Sequence, residues 1–181
     1  AVAEEILIRG GFSWGAAFAE KLDVLKQSSA LILAGQTYLA PDTCTAIQSF
    51  AAAGGGIVIL GDVAHWDENG MLYEPSPLAD LEGPRVVRLS VDTPRNDSRA
   101  GSAVCIALPK QWRSVAEAIE RVAKRGLNAR LYGSTYVAMS AFQTRDNRLA
   151  VHLVNYASPR LPARFAWNSA PLGTTVPPPV S

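Results

Sequence analysis

Two short apolar runs joined by an amphipathic stretch set the fold of this chain: Leu31–Ala34 and Ile57–Leu60, with Pro41–Gly56 between them. Each run is continuous rather than alternating, and each stops at a glycine, Gly35 or Gly61. A strand covered by helices on both faces reads this way, whereas a strand with one wet face alternates. Pro41 and Asp42 mark a helix start, since proline suits the first turn and aspartate can accept a free backbone N–H there. Thr43, Cys44, Ile47, Phe50, Ala51 and Gly54 then recur at helical spacing. Gly54-Gly55-Gly56 ends the helix and lets the chain reverse. A strand–helix–strand unit of this length implies parallel strands joined by a right-handed crossover. The expected fold is therefore α/β: an open, mostly parallel sheet with helices on both faces, followed by a short antiparallel β extension. Open α/β sheets bind ligands beyond the carboxyl ends of their strands, so any chemistry is expected in the loop Gly61–Gly70.

Charge narrows the function classes. Seventeen basic and 16 acidic residues give a net charge of +1, so no bulk field favours nucleic acid or an anionic membrane. No apolar run approaches the roughly 20 residues that span a bilayer. With 48% hydrophobic residues in a chain of 181, a real core can form. The opening AVAEEILIRG does not read as a signal peptide. The compartment stays open between the cytoplasm and, if a leader has been removed, secretion. Cys44 and Cys105 make neither a disulfide framework nor a zinc signature. No cofactor and no metal are expected.

Elsewhere the signals are shorter. Glu5–Arg9 reads as a first strand, followed by Gly10-Gly11 and a loop or short helix through Trp14–Lys21. Residues 71–103 are rich in turns, with Val86–Val91 a candidate strand and Cys105–Leu108 another. Ser114 with Glu117 three residues later reads as a reciprocal helix cap. Val115, Ala118, Ile119 and Val122 would form the buried stripe of that helix, and Gly126 would close it. Leu131–Thr144 and Arg148–Ala157 then flank Asp146-Asn147, a tight hairpin turn. Alternation puts Leu149, Val151 and Leu153 on one face of the second strand, and His152 on a half-buried opposite face. Arg164–Trp167 reads as one more strand, and Thr174–Ser181 as a proline-rich tail. The expected division is an α/β domain over 1–126, a β-rich extension over 127–170 and a tail over 171–181.

The stretch Leu31–Gly70 resembles the class I glutamine amidotransferase-like fold, a flavodoxin-like arrangement. The form it is most similar to is the trimerisation-type domain of bacterial beta-galactosidases and related barrel glycosidases. The "ALILAG" strand, the "YLAPDTCTAIQSFAAAGGG" helix, the "IVILGD" strand and the acidic "WDENG" loop carry the resemblance. "RLAVHLVNYA" at Arg148–Ala157 is similar to the strand that opens the β-rich C-terminal domain of such enzymes. The resemblance implies a scaffolding or oligomerising role within a glycoside hydrolase, for carbohydrate metabolism, with the sugar chemistry on a separate barrel. A barrel takes about 250 residues, more than this chain holds. The implied partners are further copies of the chain or the remaining domains of a larger one.

Active amidotransferases place a cysteine in a strained strand-to-helix turn. Laid on Gly61-Asp62-Val63-Ala64-His65, the pattern puts Val63 at the nucleophile, and valine has none. Cys44 cannot replace it from the buried face of the preceding helix. Asp62, His65, Asp67 and Glu68 remain as a polar cluster. Asp62, His65 and Glu68 could pair an acid with a base in a hydrolase; Trp66 and Asp67 could bind a carbohydrate or another small ligand. The spacing fits neither zinc sites nor a calcium loop. A solvated loop capping the next element accounts for the same residues without a ligand. His152 reads as a core histidine, and Asn155 as a residue that pins a neighbouring loop. The principal expectation is a non-catalytic ancillary domain, with ligand binding at Gly61–Gly70 as the alternative.

Overall fold

The computed structural model describes residues 2–92, 109–123, 129–133 and 137–155. The chain divides into two compact units, one formed by 15–92 with 109–128 and the other by 1–14, 93–108 and 129–181.

The first of these is α/β. Strand β1 (Ala30–Ala34), helix α2 (Pro41–Ala52), strand β2 (Gly56–Leu60), strand β3 (Val86–Leu89) and helix α3 (Trp112–Val122) follow in order, preceded by a kinked 3-10 helix, Ala19–Gln27. The three strands are parallel in the order β1-β2-β3. Leu31 lies beside Ile57 and Leu33 beside Ile59, while Val86 flanks Ile57 on the other side. Those side chains share one sheet face, and α2 fills it with Cys44 and Ile47. The opposite face takes α3, which approaches so closely that a Cβ on Gly56 would stand 2.1 Å from the Val122 carbonyl oxygen. All five residues of β2 are buried, as its unbroken apolar run requires.

Helix α2 starts with Pro41 in its first turn, but no side chain caps it, and Asp42 stays exposed. It ends in a Schellman motif. The Gly55 N–H reaches Phe50 O (2.9 Å) and the Gly54 N–H reaches Ala51 O (2.8 Å), with Gly54 in the left-handed region at φ 77°. Helix α3 begins before the expected cap. Trp112 N–H bonds Pro109 O and Val115 N–H bonds Gln111 O, so Ser114 lies inside the first turn and cannot cap it. Its stripe is as expected, with Val115, Ala118, Ile119 and Val122 buried and Ala116 added. Regular helix ends at Val122; Gly126 lies outside the described residues.

The second unit overturns the first-strand expectation. Val2–Arg9 is a helix, α1, with Glu4 and Glu5 in its first turn and Arg9 in its last. Arg9 Nε donates to Glu5 Oε1 across one turn at 2.6 Å, and both charges complement the helix dipole. Gly10-Gly11 is the helix stop: Phe12 N–H bonds Leu7 O and Gly11 N–H bonds Ile8 O, both at 3.0 Å, with Gly11 at φ 69°. Beyond it Phe12 bridges Arg130, whose guanidinium lies 4.9 Å from the rings of Phe12 and of Tyr132. α1 packs on β4 (Val137–Gln143), which pairs antiparallel with β5 (Leu149–Asn155). The hairpin turns as expected at Asp146-Asn147, with Asn147 at φ 66° and Thr144 N–H bonded to Arg148 O. β4 buries Val137 and Met139, whereas β5 is exposed along most of its length. His152 is therefore not a core residue; it lies exposed, its ring edge-on to Phe142 at 5.0 Å. Cys105–Leu108, Arg164–Trp167 and the tail lie outside the described residues.

Candidate functional site

At the carboxyl end of the sheet, β1 and β2 each leave through a left-handed glycine, Gly35 at φ 71° and Gly61 at φ 70°. After Gly61 the chain exposes Asp62 and then turns Val63 and Ala64 inward. Val63 is 5% exposed and Ala64 fully buried, both within the cluster around Cys44, Ile47 and Leu78. The left-handed backbone of an elbow does occur here, but on Ala64, at φ 52°. Its N–H bonds Gln36 O at 2.9 Å, and no helix follows. A reactive group at either position would point into packed hydrocarbon.

Next, three short extended pieces run side by side. His65 and Trp66 N–H both bond Thr37 O (2.8 and 3.0 Å), Leu39 N–H bonds Trp66 O (2.9 Å) and Tyr73 N–H bonds His65 O (2.8 Å). Trp66 is bridged to Tyr38 on one side and Leu72 on the other. The Tyr38 and Trp66 rings stack at 5.2 Å with 23° between planes. Tyr73 Oη donates to Leu39 O at 3.0 Å. Burial, then the neighbouring acidic groups Cys44, Asp67 and Glu68, hold its phenol above the usual range.

The expected site residues divide into separate roles. Asp67 is buried and occupied locally: its Oδ1 accepts the N–H groups of Asn69 (2.9 Å) and Met71 (2.7 Å), closing a turn that ends at Gly70. Asp62 Oδ2 and His65 Nε2 stand 3.9 Å apart and largely in solvent, too far for a hydrogen bond. Glu68 is exposed on the turn. Trp66 is half-buried, with the His65 ring tilted 5.6 Å away. Cys44 is 1% exposed, and burial pushes its thiol up, the reverse of what activates a nucleophile. Among the described residues, no three His, Cys, Asp or Glu side chains gather to hold a metal ion. A groove of about 670 Å³ lies elsewhere, between the 3-10 helix and α2, lined by Leu22, Leu25, Ala46 and Phe50. The sequence reading missed Tyr38. Its signal was position alone, an aromatic three residues past the glycine that ends β1.

No protein-family model matches the chain, and no curated protein matches it. Among solved structures it is similar to the apo exo-carrageenase GH42 from Bacteroides ovatus, at 13% identity and a TM-score of 0.44. That likeness covers 85% of this chain and 20% of the carrageenase.

Proposed function

We propose that this chain is a non-catalytic ancillary module of a larger, glycoside hydrolase-like protein, working by docking to the remaining domains or to further copies of itself. The observation that carries the reading is the burial of Val63 and Ala64 at 5% and 0% exposure, where an α/β enzyme of this kind would present its nucleophile. The loop's other chemistry is equally unsuited to turnover. Asp67 serves its own backbone, and the Asp62–His65 pair is loose and solvated. The resemblance of Leu31–Gly70 to glycosidase trimerisation-type domains supplies the larger context. Exposed apolar side chains on β5, Leu149 at 68% and Leu153 at 59%, supply a surface for association.

The purified chain should hydrolyse neither glutamine nor nitrophenyl glycosides above the blank, and should sediment above monomer mass at micromolar concentration. Turnover that Val63→Ala leaves intact but His65→Ala abolishes would replace this reading with the hydrolase one. A strictly monomeric chain that also fails to bind any partner domain would remove the docking role.

A further inference from the structure

Asn69-Gly70, in the turn that closes the mouth loop, is the one Asn-Gly pair of the sequence. In such a pair the backbone nitrogen after the asparagine can attack the side-chain carbonyl carbon, because glycine brings no side chain to obstruct it and lets the backbone turn. The loop restrains neither reacting group closely. Asn69 is exposed. Gly70 stands at φ 80°, with open space where a Cβ would lie. Its N–H also makes the longest of the bonds that close the turn, 3.2 Å to Asp67 O. The N–H groups of Asp67, Asn69 and Met71 bond within the same turn at 2.9, 2.9 and 2.7 Å.

We propose that Asn69 is a site of deamidation, and that its isoaspartate product releases the arm Met71–Tyr73 from the mouth of the sheet. The Gly70 nitrogen bonds to Asn69 Cγ and gives up its proton, the Cγ–Nδ2 bond breaks, and Nδ2 takes up a proton and leaves as ammonia. Water then opens the five-membered imide at one of two bonds. Opening at Cγ yields aspartate with the main chain as it was. Opening at the main-chain carbonyl yields isoaspartate, whose backbone runs through Cβ and Cγ and is one methylene longer. Either product adds a carboxylate and takes the formal net charge from +1 to zero.

The longer backbone acts on a turn that one carboxylate holds. Asp67 is 7% exposed, and its Oδ1 accepts from Asn69 N–H and Met71 N–H together. Those donors lie on either side of the inserted methylene, so one oxygen cannot keep both in bonding range. The bond from Asp67 N–H to Met71 O spans the same insertion. A buried carboxylate that loses a donor is left poorly solvated, which favours opening of the turn. The Trp66–Leu72 bridge and the bond from Tyr73 N–H to His65 O continue the arm beyond it. Leu39 N–H, bonded to Trp66 O on the other side, is not part of that arm.

The test is ageing of the whole chain in mildly alkaline buffer, followed by peptide mapping and by amide hydrogen exchange read by NMR. Asn69 should convert about tenfold or more faster than Asn147, which is also exposed on a turn but precedes Arg148. Gly70→Ala should slow the conversion by about tenfold. In the isoaspartate form the Met71 and Tyr73 amides should exchange about tenfold or more faster, with the Leu39 amide unchanged. Fresh Asn69→Asp, which adds the charge without the methylene, should keep native exchange to within about twofold. The proposal is overturned if Asn69 converts no faster than Asn147, or if the isoaspartate form protects Met71 and Tyr73 as the fresh chain does. Equal loss of protection in Asn69→Asp also overturns it, since the charge and not the longer backbone would then open the turn.

Discussion

Ala64 concentrates the strain of the mouth in one residue. A left-handed backbone costs an alanine about 1 kcal/mol relative to glycine, yet burying its methyl group returns about 0.8 kcal/mol. Ala64→Gly should therefore change stability by less than about 1 kcal/mol in urea unfolding. Ala64→Val should cost about 3 kcal/mol or more, since branching meets both the positive φ and a packed core. The sequence could not place this strain, because a register shift of one residue between Val63 and Ala64 leaves the local apolar pattern unchanged. It did place Cys44 correctly on the buried face. With the folded thiol held above its ordinary value of 9.0 by burial, the unfolded chain loses that proton first as the solution becomes alkaline. The stabilisation is complete below pH 9 and is lost as pH rises through the folded value. Cys44 should consequently resist iodoacetamide at pH 8 in the native chain and react at once in denaturant.

Helix ends explain where element-level reading succeeded and where it failed. Both α1 and α2 stop on a glycine in a Schellman motif, at Gly11 and Gly54. After SFAAA the glycines read as a helix stop because the helical stripe was already evident. After EEILIR the same doublet read as the end of a strand, because Ile6 and Ile8 alternate and the run is too short to show a period of 3.6. The Glu5–Arg9 spacing was the discriminating signal, since a pair four residues apart meets on a helix and not on a strand. At α3 the failure was the reverse: a good cap motif at Ser114 was outrun by a turn begun at Pro109. The sheet offers a sharper test. Gly56 has no room for a Cβ against the Val122 carbonyl, so Gly56→Ala should cost about 3 kcal/mol by forcing α3 off β2. Gly35 has open space and a positive φ, so Gly35→Ala should cost only about 1 kcal/mol. Circular dichroism melts of the two variants compare them directly.

For the molecule as a whole, a net charge of +1 could not distinguish docking from ligand binding, which depends on where exposed apolar groups fall. The strand Leu149–Asn155 was read as half-buried because its apolar residues occupy both faces. In the structure those residues face solvent, with Leu149, Val151 and Leu153 together on one side. If that side carries the association proposed above, Leu153→Lys should shift sedimentation toward monomer by about tenfold or more in Kd, leaving the melting curve of the dilute, dissociated chain unchanged. Leu22→Lys, at the groove beside α2, should leave the mass as it was. The same unit has a temporal consequence. Gly10 accepts from Arg130 Nε, 120 residues away, and Ser13 meets Ala141, 128 residues away. At ribosomal rates of about 5–20 residues per second, that separation corresponds to about 6–25 s of elongation. For that interval Ile6 and Phe12, among the most deeply buried side chains of the finished molecule, are made but uncovered. The covering of these two side chains therefore waits on the last third of the chain, so this unit closes late in synthesis.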